Sequence, residues 1–166
     1  MRTFKLIAGL SFLLLMVACQ DKKRSSQIKV AENESKYVVL AYVTSWGEST
    51  PDPACLTHIN YAFGHVTDNF KGIRIDNEPR LQMVVGLREK KTSLKVLLSV
   101  GGWGSSRFSE MAQTDSTRIA FAADCKRVID QFDLDGIDID WEYPGIGTAG
   151  VSFSPEDTDN FSLLMK

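Results

Sequence analysis

Only three cysteines and five prolines punctuate 166 residues. Three thiols cannot build the disulfide framework of a small secreted scaffold, so any fold here has to rest on a hydrophobic core. Charge of one sign is missing as well: 19 Lys and Arg stand against 21 Asp and Glu, for a net charge of −2 and a pI near 5.7. That balance argues against a nucleic-acid partner, which would call for a basic excess. No apolar stretch approaches the roughly 20 residues of a membrane-spanning helix. A hydrophobic share of 43% with 24% charged residues leaves an ordinary globular composition and rules out collagen-like, disordered and multi-span classes. Length is short too, below the roughly 200–250 residues of a complete eight-unit β/α barrel.

What is present begins with an address label. Arg2 and Lys5 form a short positive region, Leu6 to Val17 is apolar, and Leu15-Met16-Val17-Ala18-Cys19 places a small residue before a cysteine. This resembles the lipobox of bacterial lipoproteins. The resemblance implies that residues 1–18 are a signal peptide, that Cys19 is diacylated, and that the exported protein is held on the periplasmic side or cell surface by its lipid. An ordinary secretory signal with an incidental cysteine is the alternative. Removal of Arg2 and Lys5 with the leader takes the net charge from −2 to −4. Residues 19–36 are polar and read as a flexible tether; Lys22-Lys23-Arg24 is a weak patch for anionic lipid.

From residue 37 to 166 the chain alternates strand and helix patterns. Tyr37 to Val43 is nearly all apolar, as for a strand buried on both faces. His58 to Phe63, closed by Gly64, is a second strand. Leu94 to Val100, closed by Gly101-Gly102, is a third, and Leu134 to Trp141 a fourth. Leu81, Val84 and Val85 mark a helix with Pro79 near its start and Lys90-Lys91 at its end. After Asp115, the residues Ile119, Ala122, Cys125, Ile129 and Phe132 form one helical stripe. Ser154-Pro155-Glu156-Asp157 opens a last helix, with Ser154 as its N-cap and Phe161, Leu164 and Met165 on its apolar face. No Asn-Gly or Asp-Gly hairpin signal joins neighbouring strands, so a parallel sheet with crossovers is expected.

The densest chemistry lies in Asp135-Gly136-Ile137-Asp138-Ile139-Asp140-Trp141-Glu142-Tyr143-Pro144. Side chains alternate faces along a strand. Asp138, Asp140 and Glu142 therefore share one face, while Ile137, Ile139 and Trp141 take the other. Three unpaired carboxylates on one strand face serve no structural end, because burying charge is costly. Close together they cannot all ionise easily, which is the setting a carboxylic general acid needs. An EF-hand calcium loop is not expected: starting from Asp133, Asp135 or Asp138, the sixth residue is never glycine. No metal and no cofactor is expected. His58 and His65 lack ligand spacing, and Cys55 and Cys125 are expected as thiols.

The same stretch resembles the D-x-x-D-x-D-x-E signature of glycoside hydrolase family 18, the chitinases and their relatives. Ser99-Val100-Gly101-Gly102-Trp103 resembles that family's S-x-G-G motif, and Tyr42-Val43-Thr44-Ser45-Trp46 and Asn60-Tyr61-Ala62-Phe63 resemble further segments. The resemblance covers about residues 37–166. It implies a parallel α/β fold, the N-terminal half of a (β/α)8 TIM barrel, truncated near strand and helix four. It further implies hydrolysis of β-1,4-linked N-acetylglucosamine polymers with retention, assisted by the substrate's own acetamido group. Glu142 would be the acid, Asp140 would orient the acetamido N–H, and Asp138 would share a proton with Asp140. Tyr42, Phe63, Gly101, Gly102, Trp103 and Tyr143 would line the sugar site, and Asp135 would be structural. The partner implied is chitin or another N-acetylglucosamine-containing glycan. Two alternatives stay open: an endo-β-N-acetylglucosaminidase acting on N-glycans, and a non-catalytic chitinase-like glycan binder, whose family members usually lack the acid. The family's Met-x-Tyr-Asp segment and its last-strand tryptophan have no counterpart here, so this chain by itself is expected to be inactive and, with open strand edges, prone to aggregate.

Overall fold

The computed structural model describes residues 37–166. The expected signal peptide, Cys19 and the tether lie outside the described residues. The described residues hold five strands: β1 (Leu40–Thr44), β2 (His58–Val66), β3 (Ile73–Ile75), β4 (Lys95–Gly101) and β5 (Gly136–Asp140). β1, β2, β4 and β5 run parallel in that spatial order, and the short β3 pairs antiparallel with the end of β2. The crossover from β2 to β4 carries α1 (Glu78–Val85), and that from β4 to β5 carries α2 (Phe108–Ala112) and α3 (Asp115–Phe132). The helix α4 (Asp157–Leu164) follows β5. The β1–β2 connection holds only a 3₁₀ turn (Pro53–Cys55), and the later parallel strands are joined by α-helices, as in part of a β/α barrel.

Strand parity builds the core. Ile59 and Tyr61 of β2, and Val96, Leu98 and Val100 of β4, turn one way and are fully buried. They meet Leu81 and Val84 of α1, Phe108 and Met111 of α2, and Phe121 and Val128 of α3. Each large side chain so buried contributes about 1.5–3 kcal/mol relative to exposure. Residues of the opposite parity face away from these helices, and Asn60, Ser99, Asp138 and Asp140 lie on that side.

Several expectations are corrected in detail. The run Tyr37–Val43 is not buried on both faces: β1 starts at Leu40 and pairs only with β2, and Val38 is 71% exposed. The second strand does not end at Gly64. It runs on to Val66, because β3 folds back on it through the loop at residues 67–72, a hairpin without the tight-turn residues that would advertise it. The β2–β4 register shifts between Ala62 and Gly64, and a Cβ on Gly64 would crowd Ile73 at 3.0 Å and Leu98 at 3.1 Å.

Helical details differ too. The stripe of α3 is rotated, with Phe121, Val128 and Phe132 buried and Ile119 70% exposed. Thr114 caps this helix in a reciprocal box with Thr117. The helix around Leu81 gives way at Gly86 to a 3₁₀ turn that ends before Lys90. α4 begins at Asp157 rather than after Ser154; Pro155 and Glu156 form a turn ahead of it, and Ser154 still accepts the Glu156 N–H at 3.3 Å. Phe161 and Leu164 pack on the core, whereas Met165 is exposed.

Candidate active site

Four neighbouring strands converge on one oxygen. Parallel register places Tyr42 beside Asn60, Ala62 beside Ser99, and Ser99 beside Asp138. From these positions the Tyr42 hydroxyl, the Asn60 Nδ2 and the Ser99 hydroxyl each donate to Asp138 Oδ2, all at 2.9 Å. Two residues on, Asp140 sits nearer the C-terminal end of β5, and Glu142 follows the strand. Burial, then the negative charges of Glu142 and Asp138, push the Asp140 carboxyl above its ordinary range. The structure thus brings Asp138, Asp140 and Glu142 together. Their strand neighbours pack the opposite way: Ile137 and Ile139 lie against the core, and Trp141 stacks on Phe108 at 5.4 Å and meets Phe161 edge-on at 5.8 Å.

Glycines let β4 and β5 approach. Gly101 pairs with Asp140 and adopts φ +133°, and the Gly102 N–H donates to the Asp140 carbonyl at 2.9 Å. A Cβ at Gly102, where φ is +90°, would strike the Phe63 ring at 2.8 Å. Phe63 in turn lies 6.2 Å from Trp46 and 6.4 Å from His65, ring to ring. A second aromatic pair, Trp103 and Tyr143, stands edge-to-face at 6.5 Å, with Trp103 66% exposed. The Tyr143 hydroxyl is held above its ordinary value by its hydrogen bond to Glu142 and by that residue's charge. Of the residues expected to line the sugar site, Tyr42 and Tyr143 hydrogen-bond Asp138 and Glu142, Gly101 and Gly102 lie on the Asp140 backbone, and Phe63 and Trp103 lie one contact further out, against Gly102 and Tyr143.

Residues outside this group hold it in place. Asp135, of the other parity, accepts the Val96 N–H at 2.8 Å, lies 3.0 Å from Lys95 and pairs with Arg88. Asp157 is fully buried and accepts from Ser109 Oγ at 2.7 Å, Ser154 N at 2.8 Å and Gly145 N at 3.2 Å, tying down the loop after Glu142. His65 bridges Ser105 and Asp76, both at 3.0 Å. Cys55 and Cys125 are free thiols. Sequence reasoning did not single out Asn60 and Ser99 as partners of Asp138. The available signal was a lone polar residue within the otherwise apolar, glycine-interrupted heart of each strand.

A parallel β/α half barrel with clustered carboxylates and exposed aromatic rings at the C-terminal strand ends has its chemistry where β/α-barrel enzymes keep theirs. The family model described as glycosyl hydrolases family 18 matches residues 38–166. The chain is 36% identical over 169 residues to an endochitinase of Manduca sexta, covering 96% of this chain and 30% of that one. Among solved structures, it is similar to the chitinase domain of the spore coat protein CotE from Clostridium difficile, at TM-score 0.74 and 36% identity, over 78% of this chain and 37% of the other. It is likewise similar to a family 18 N-acetylglucosaminidase from Paenibacillus barengoltzii, at TM-score 0.71 and 42% identity, over 78% and 38%. The chain belongs to glycosyl hydrolase family 18. It spans about a third of the length of these relatives.

Proposed function

We propose that this chain carries the acid-bearing half of a retaining glycoside hydrolase acting on β-1,4-linked N-acetylglucosamine polymers. The observation that carries the reading is the layered carboxylate set: Asp138 anchored by three donors, Asp140 above it with a raised pKa, and Glu142 at the strand end beside exposed aromatic rings. Glu142 protonates the glycosidic oxygen. The substrate's 2-acetamido oxygen attacks the anomeric carbon from the opposite side, so no second protein carboxylate is needed as nucleophile. Asp140 orients the acetamido N–H and steadies the charged intermediate, and Asp138 shares its proton. Water then opens the intermediate, with Glu142 now acting as base. Tyr42, Phe63, Gly102, Trp103 and Tyr143 border the sugar, where flat aromatic faces suit pyranose C–H surfaces.

Cleavage within the polymer is the first reading, in line with the endochitinase relative. Release of single N-acetylglucosamine residues is the second, favoured by the 42% identity to the N-acetylglucosaminidase. The relatives' chains are far longer, and we take turnover to need the further β/α units of that length. The proposal extends to location, with Cys19 carrying a lipid that anchors an exported protein. The test is to assay this chain, and one extended to full barrel length, on a chromogenic chitobioside, chitohexaose and an N-glycoprotein. The extended chain should act on the chitin-derived substrates with retained anomeric configuration, and its Glu142→Gln variant should lose at least about a thousandfold in kcat. Wild-type turnover by that variant would overturn the acid assignment. Palmitate labelling abolished by Cys19→Ala would support the anchor, and soluble secretion of the unaltered protein would defeat it.

A further inference from the structure

His65 has no part in the proposed chemistry, yet it joins three segments of the chain. It lies near the end of β2, where β3 folds back and sets Arg74 opposite it. Asp76 follows β3, and its N–H donates to the Phe63 carbonyl at 3.1 Å. Burial raises the Asp76 carboxyl, but the hydrogen bonds and charges of Arg74 and His65 outweigh it and hold it below its ordinary value. An ionised carboxylate only accepts, so His65 Nε2, 3.0 Å from Asp76 Oδ2, carries a proton. Nδ1 then faces Ser105 Oγ at 3.0 Å. Turning the ring over would put carbon against both oxygens, so the two contacts together fix its orientation. The Ser105 hydroxyl can donate to a bare Nδ1 or accept from a protonated one, and the bridge holds in either charge state.

What the bridge holds is the turn that displays Trp103. The Ser105 N–H donates to the Gly102 carbonyl at 2.9 Å, and Gly104, third in the turn, has φ +78°, the pattern of a type II turn. Trp103 stands second, 66% exposed, and its ring meets the exposed Tyr143 edge-on at 6.5 Å. Gly102 and Gly104 have no side chain with which to steady the turn. Ser105 has one, and its partner is His65. At the other end the Gly102 N–H is fastened to the Asp140 carbonyl. We propose that His65 is a positioning residue for the sugar-binding ring of Trp103: held by Asp76, it fixes Ser105 and with it the turn that aims Trp103. The inference rests on the reading that Trp103 borders the sugar. It also gives the β3 hairpin a purpose, which is to carry Asp76 to His65. A ring set in advance binds a pyranose face without first being ordered, so the bridge favours binding and leaves proton transfer by Glu142 untouched.

The test separates the two ring nitrogens in the chain extended to full barrel length. His65→Asn places an amide where Nδ1 lies and can still reach Ser105. His65→Gln places one where Nε2 lies and keeps Asp76 instead. Ser105→Ala removes the other end of the bridge and leaves His65 on Asp76. His65→Gln and Ser105→Ala should each raise KM for chitohexaose roughly two- to tenfold, the worth of one hydrogen bond, with kcat nearly unchanged. His65→Asn should stay near wild type, and the double variant His65→Gln/Ser105→Ala should be no worse than either single change. An unchanged KM, a loss in kcat in its place, additive losses, or His65→Asn as impaired as His65→Gln overturns the proposal. In the same protein labelled with 5-fluorotryptophan, Trp103→Phe and Trp141→Phe identify two of the 19F signals. Ser105→Ala should move the Trp103 signal toward its unfolded position and leave that of Trp141, stacked on Phe108, in place. A Trp103 signal that stays put also overturns the proposal. Glu142→Gln is run alongside: if it keeps turnover, the hydrolytic reading fails, whereas the fluorine signal still decides whether His65 holds the turn.

Discussion

Gly101 and Asp140 face each other across the β4–β5 pair so closely that a Cβ on Gly101 would lie 2.0 Å from the Asp140 carbonyl oxygen. That same carbonyl accepts the Gly102 N–H, so the strand bearing the carboxylates is fastened to the end of β4 at a place where only glycine fits. Gly101→Ala combines an unfavourable φ with backbone overlap and should cost about 2–4 kcal/mol in urea unfolding. Gly136→Ala is the control on the same strand pair. There a Cβ would meet Leu97 at an ordinary 3.5 Å, and the loss should stay near or below about 1 kcal/mol. Equal losses at both positions would refute the crowding argument.

Asp135 should make stability depend on pH. Burial raises its carboxyl, but the Val96 N–H, Lys95 and Arg88 outweigh that and hold it below the ordinary value of 3.8. An acid with a depressed folded pKa adds stability above its unfolded pKa and loses it as pH falls through the folded one. Asp135→Asn should therefore cost about 1–3 kcal/mol at pH 7. The difference from wild type should shrink on acidification below about pH 4. Parallel stability curves down to acid pH would show that the carboxylate charge is not what matters.

The loop after Glu142 hangs on Asp157, whose carboxylate accepts from Ser109, Ser154 and Gly145 with no solvent exposure. Asp157→Ala leaves three donors unpaired and should cost about 3–5 kcal/mol. Amide exchange should then quicken first at Gly145 and Ser154, ahead of β2 and β4. Protection lost evenly across the sheet would show that Asp157 supports the whole fold and not this loop.

How much of this was legible beforehand follows from the range of each interaction. The shared face of Asp138, Asp140 and Glu142 is a local property of a strand, so spacing alone reveals it, and the same parity puts Trp141 on Phe108. The existence of α3 is likewise local, but the side it buries depends on where the sheet lies. That is why Phe121 and not Ile119 enters the core. β3 is three residues long and is defined only by its pairing with β2. Asn60 and Asp138 are 78 positions apart, and their contact exists only once β2, β4 and β5 are laid side by side.

The two described cysteines should separate cleanly by reactivity. Cys55 is exposed, whereas burial, with Asp124 beside it, pushes the Cys125 thiol up to about 12. Thiolate is the reactive form, so at pH 8 Cys125 is both shielded and protonated. Brief iodoacetamide treatment followed by peptide mass mapping should find Cys55 alkylated and Cys125 intact until urea is added. Equal labelling of both in the folded chain would contradict the packing of α3 against the sheet.

Asp140 carries a stability cost of the kind functional carboxylates often carry. Its pKa is raised by burial and by the charges of Glu142 and Asp138, so its ionised form is disfavoured in the folded chain. For such a group the penalty is absent below the unfolded pKa, where both states are protonated, and complete above the folded pKa. Asp140→Asn removes the charge while keeping the shape, and should raise Tm at pH 7 by roughly 2–4 °C. The gain should vanish as pH falls below about 4, the reverse of the trend for Asp135→Asn. In a chain extended to full barrel length the proposed mechanism has the same change lower kcat by at least about a hundredfold, since on that mechanism Asp140 orients the acetamido N–H. A variant that is less stable than wild type at pH 7, or equally stabilised at pH 3, would show that Asp140 sits in no electrostatic conflict with its two neighbours.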